Sequence, residues 1–181
     1  MKTKRMMVTA LCVALGVVLP IILHAIPNAG SIFLPMHIPV LLCGFLCGWS
    51  YGLACGLMAP VLSTLLTGMP PAAILPGMLC ELAAYGLLAG LFFSLIRTRK
   101  PAVGVYLSLI GAMLAGRFVA GAVNALIFQA GRYSLSIWVA AFFVKGLPGI
   151  AIQFILIPAL VLFLNRTDLL KKKSVVSLQN R

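Results

Sequence analysis

The chain has 181 residues, of which 62% are hydrophobic and only 9% charged, with a mean hydropathy of +1.14. Those values exclude a soluble globular domain and require an integral membrane protein, a single domain over residues 1–181 with room for about five to seven spans at about 20 residues per crossing. The net charge of +12 does not point to nucleic acid, because most Lys and Arg flank apolar runs: Lys2, Lys4 and Arg5; Arg97, Arg99 and Lys100; Arg166 with Lys171, Lys172 and Lys173. That is the distribution the positive-inside rule produces.

A basic start followed by an apolar run predicts a first helix from Met1 to about Ile26. A secretory signal begins in the same way, but the sequence beyond is as apolar as the run itself, which keeps this segment in the bundle. Ala10 and Ala14 form a small-xxx-small pair on it, a spacing that lets another helix approach closely. Pro27-Asn28-Ala29-Gly30-Ser31 breaks the helix. Ile32 to Met36 is then a loop too hydrophobic to be fully solvated, expected to fold back over the bundle as a lid.

His37 to Thr67 reads either as one long kinked helix or as two short ones separated at Gly48-Trp49-Ser50-Tyr51-Gly52. Parity decides. With a single crossing the Arg97 group falls opposite Lys2, Lys4 and Arg5; with two, the basic groups share one face, as the positive-inside rule requires. Further helices are expected at about Ala72–Ile96, Ala102–Ala130 and Leu135–Leu164, the last bending at Gly146, Pro148 and Gly149. The fold class is therefore an all-α membrane protein of six transmembrane helices, both termini cytoplasmic, with a flexible basic tail over residues 169–181. Cys12, Cys43, Cys47, Cys55 and Cys80 all lie in apolar runs without disulfide or zinc spacing and read as small core residues, so no metal or cofactor is expected.

Glu81 is one of two acidic residues in the chain and lies about 15 Å inside its apolar run at helical rise. A carboxylate at that depth is expensive unless it is paired or faces a cavity, which makes it a functional-site candidate. Arg117 and Lys145 join it from the next two helices. Gly77, Glu81 and Tyr85 share one helix face; so do Arg117, Gly121, Asn124 and Phe128, and likewise Trp138, Phe142 and Lys145. Such faces combine aromatic bulk with a few orienting polar groups, as cavity walls do. A purely structural network, with Glu81 neutralised by Arg117 or Lys145, leaves one positive charge over. That surplus suits a ligand bearing one carboxylate or phosphate. His37 is either a capping histidine or a substrate contact.

The block His37-Ile38-Pro39-Val40-Leu41-Leu42-Cys43-Gly44-Phe45, the turn Leu66-Thr67-Gly68-Met69-Pro70-Pro71, Glu81-Leu82-Ala83-Ala84-Tyr85-Gly86 and Lys145-Gly146-Leu147-Pro148-Gly149 occur in an order that resembles the substrate-binding S component of energy-coupling factor (ECF) vitamin transporters. The match is closest to the branch with riboflavin-, pantothenate- and cobalamin-type members. The resemblance implies a six-helix subunit of a prokaryotic plasma membrane that binds a vitamin-like molecule near the outer face. It implies a complex with a transmembrane scaffold subunit and, indirectly, two ATPases, with Ala10 and Ala14 at the positions that touch the scaffold. The loaded subunit would topple in the bilayer, driven by ATP hydrolysis in its partners; the chain has no phosphate-binding GxxxxGK[ST] loop of its own. The surplus charge with Asn124 and Gln153 suits a small carboxylate carrying hydroxyl or amide groups, pantothenate being the best guess. Riboflavin would instead stack on Trp138, Tyr85 and Phe128.

Two other classes compete. An intramembrane enzyme needs a nucleophile and base within reach, yet both histidines sit at helix ends and no Gly-x-Ser-x-Gly or His-Glu-xx-His pattern occurs. A stand-alone secondary transporter or channel for a small organic anion calls for paired broken helices in an inverted repeat, and the halves are only weakly similar.

Overall fold

The computed structural model describes residues 2–23, 32–96, 98–128, 136, 140 and 146–166. Among them the regular elements are helical. They are α1 (Lys2–Leu23), α2 (His37–Cys47), α3 (Trp49–Thr67), α4 (Leu75–Leu95), α5 (Pro101–Val123), which runs into a π-helical turn (Asn124–Phe128), and α6 (Leu147–Arg166). Runs this apolar leave the backbone no partner in lipid except itself, and a helix satisfies every interior N–H and C=O locally. Proline marks the starts of α4 and α5, where a missing N–H is harmless.

The segment His37 to Thr67 divides as expected, but at Gly48 alone. Its φ of 97° is open to glycine, and its N–H closes α2 on Gly44 O at 3.0 Å. Five of the described helices, α1 and α3 to α6, are long and apolar enough to cross a membrane. The 11 residues of α2 rise only about 16 Å, roughly half the hydrocarbon thickness. The division into two helices therefore stands, while α2 by itself falls short of the sixth span expected. Leu135 and most of the stretch up to Lys145 lie outside the described residues, as do Pro27 to Ser31 and the tail over 169–181, so the sixth predicted helix is seen as α6 from Leu147 onward.

Contacts between the elements fix which ends lie together. The Cys47 thiol, at the end of α2, donates to Arg5 O in the first turns of α1 at 3.6 Å. A Cβ on Gly90 of α4 would meet the Gly48–Trp49 backbone, and α4 then runs on towards Arg99 and Lys100. Lys2, Lys4 and Arg5 thus share one end of the bundle, the basic end, with Arg99 and Lys100. At the opposite end, Gly149 of α6 packs on the backbone of Ile32 and Phe33, just before α2 starts. The described part of the first connection therefore does fold back onto the bundle, with Leu34 at φ 49° and its carbonyl accepting from His37 N at 3.1 Å.

Two buried clusters hold the helices together. Cys12 and Val13 of α1, Val40, Cys43 and Cys47 of α2, Cys55 and Ala59 of α3, and Leu82 of α4 form one. Leu41, Phe45, Tyr85, Phe93, Leu109, Met113, Ile157 and Val161 are among the members of the other, which joins α2, α4, α5 and α6. Between α3 and α4 the backbones touch: a Cβ on Gly52 would collide with the Gly86 carbonyl, and one on Gly86 with the Gly52 carbonyl. Only glycine at both positions permits that approach.

Candidate functional site

The faces of α4 and α5 picked out by sequence meet each other. Tyr85 is fully buried, and its hydroxyl oxygen accepts a hydrogen bond from Arg117 Nε at 2.8 Å, with Arg117 only 2% exposed. Its ring lies over Gly116, where a Cβ would stand 3.0 Å from the ring, so a larger residue would push the tyrosine away from its partner. One turn from Tyr85 on the same face, Glu81 Oε1 accepts from His37 Nε2 at 3.2 Å. The His37 ring closes the set by packing edge-on against Tyr85, centroids 5.1 Å apart at 68°. Four helix-borne side chains from α2, α4 and α5 therefore form one connected group: His37, Glu81, Tyr85 and Arg117.

Further towards the end opposite the basic one, Asn124 opens the π-helical turn of α5. Its Nδ2 donates to Ala120 O at 2.8 Å, and its amide lies against Gly77 of α4, whose missing Cβ makes the room. Widened turns of this kind shift the side chains beyond them relative to a regular α-helix and are frequent at functional sites. Gly77, Glu81 and Tyr85 on α4 thus line up with Asn124 and Arg117 on α5. Trp138 and Lys145, the remaining predicted members, lie outside the described residues.

Sequence reasoning expected Glu81 to be met by Arg117 or Lys145; among the described residues, which do not include Lys145, His37 Nε2 is hydrogen-bonded to it, and Arg117 Nε is bonded to Tyr85. An ionised carboxylate can only accept, so opposite that form of Glu81 the donor is His37 Nε2. No local signal announces the contact, because 44 residues separate the two positions. The electrostatic sense is the same either way: a buried carboxylate is kept next to a donor, and a buried cation next to an oxygen. The group is also closed. His37, Tyr85 and Arg117 are each 2% exposed or less, and only Glu81, with 13% of its side chain accessible, reaches the surface.

Ala10 and Ala14 are exposed on α1. They line an apolar groove of about 630 Å³ between α1 and α3, together with Val17, Tyr51, Met58 and Leu62. None of the four polar residues lines this groove. Near the end of α3, Thr67 Oγ1 donates to Ser63 O at 2.7 Å and Thr64 Oγ1 to Pro70 O at 3.0 Å. The four cysteines of the first cluster are buried thiols, as their setting in apolar runs suggested.

A family model described as ECF transporter, substrate-specific component, matches residues 4–161. No curated protein and no solved structure gives a match.

Proposed function

This chain belongs to the substrate-specific components of ECF transporters, and from that premise we propose that it captures a vitamin-type small carboxylate, pantothenate in our reading. As a member of that family it is a membrane-embedded transport subunit that works with scaffold and ATPase subunits. The substrate site in this proposal is the group His37, Glu81, Tyr85 and Arg117, extended by Asn124, Trp138 and Lys145. Its carrying observation is a guanidinium 2% exposed in an apolar bundle and held by a tyrosine hydroxyl. Arginine presents a planar fork of donors that matches a carboxylate, and a dry setting strengthens that match. With Lys145 counted and Glu81 set against it, the group carries one surplus positive charge, which a monoanion cancels.

The basic end faces the cytoplasm in this reading, as the positive-inside rule requires, and the site lies towards the outside of a prokaryotic plasma membrane. Because the polar group is closed, the ligand is admitted when Ile32 to Met36 and the start of α6 move apart. The scaffold docks in the groove at Ala10 and Ala14, where small residues let a partner helix come close. The loaded subunit then topples in the bilayer as its partners hydrolyse ATP.

Titration of the purified chain with pantothenate, with the alcohol analogue pantothenol and with riboflavin tests the substrate. Pantothenate is expected to bind most tightly, because pantothenol differs only at the carboxylate. Equal affinity for the acid and the alcohol contradicts a carboxylate-matched site, and preference for riboflavin replaces it with a stacking site.

A further inference from the structure

We infer that Gln153 and His37 Nδ1 together recognise a neutral amide in the middle of the substrate, an assignment that rests on the carboxylate reading above and adds a second point of recognition. Two buried polar atoms carry it. Gln153 is 1% exposed, and its Nε2 has no hydrogen-bond partner among the described residues; the same holds for His37 Nδ1. Native structures rarely leave such atoms unsatisfied, and each one calls for a reason.

Their position supplies one. Leu41, Tyr85, Met113 and Ile157 belong to the same buried cluster. His37 lies four residues before Leu41 on α2, Gln153 four before Ile157 on α6, and Arg117 four after Met113 on α5. Both α2 and α6 start at the end opposite the basic one, and α5 runs towards it. Each of the three polar residues therefore lies one turn nearer that end than the cluster residue it follows or precedes on its own helix. Opposite an ionised Glu81, His37 Nε2 carries the proton, so in the neutral ring Nδ1 is an acceptor. The amide Nε2 of Gln153 is a donor. A donor and an acceptor on neighbouring helices complement a secondary amide, whose carbonyl accepts and whose N–H donates. Arg117, for the terminal carboxylate, is displaced towards the same end of the bundle.

The test is Gln153→Met, which keeps the length of the side chain and removes its polar atoms. Binding of pantothenate and pantothenol to the purified full chain is measured for wild type and variant, alongside thermal unfolding without ligand. Both molecules carry the amide, so the variant is expected to lose about ten- to hundredfold in affinity for each, by the same factor. Without ligand it should melt no earlier than the wild type, since an unsatisfied buried N–H has been replaced by an apolar group of similar shape. An ester analogue of pantothenate, with oxygen in place of the amide N–H, should bind the wild type more weakly through the loss at His37. Unchanged affinity in Gln153→Met, or earlier melting without ligand, overturns the assignment. If the wild type binds pantothenol as tightly as pantothenate, the carboxylate reading fails while the Gln153 comparison still decides this one. Binding of neither molecule ends both.

Discussion

Tyr85 has two jobs, and a single substitution separates them. Its ring fills the space over Gly116 and packs against His37, while its hydroxyl accepts from Arg117 Nε. Tyr85→Phe keeps the packing and strands a donor of a charged group that is 2% exposed. Leaving such a donor without its acceptor costs about 1–3 kcal/mol, so the variant should unfold earlier in a detergent melt. Tyr85→Ala should fall further, by about 3–5 kcal/mol relative to wild type, because a cavity is added to the lost bond. Equal melting of Tyr85→Phe and wild type would show that the hydroxyl bond adds nothing to the fold.

At the scale of elements, α3 and α4 are joined by backbone contact at Gly52 and Gly86, and α1 leaves Ala10 and Ala14 uncovered. Gly52→Ala places a methyl against the Gly86 carbonyl. The helices must separate, an overpacking cost of about 1–3 kcal/mol, read as loss of folded protein on size exclusion. Ala14→Leu instead fills an exposed groove. It should leave ligand affinity and melting unchanged while weakening co-purification with the scaffold subunit; retained co-purification removes the groove from the docking account. Helix positions were legible in the sequence because apolar runs and Gly/Pro breaks are local signals, and the parity of basic groups correctly divided 37–67 in two. The shortness of α2 was not, since one glycine rather than a five-residue break ends it. The site was half legible. Periodicity put Glu81 with Tyr85 and Arg117 with Asn124, but which faces meet is set by long-range packing, so the His37–Glu81 contact could not be read from spacing.

For the molecule as a whole, Lys2, Lys4, Arg5, Arg99 and Lys100 gather at one end, and family membership implies association with scaffold and ATPase subunits. Liposomes holding this chain alone should therefore bind labelled pantothenate without accumulating it, and accumulation should require scaffold, ATPases and ATP. Concentrative uptake by the chain alone would support the stand-alone transporter instead. The most direct test of the site is equilibrium binding of radiolabelled pantothenate to purified wild type and Arg117→Gln, with folding of both checked by size exclusion. A guanidinium–carboxylate match predicts a loss of about tenfold or more, or about 1.4 kcal/mol, in the variant. Undiminished binding by folded Arg117→Gln would contradict it.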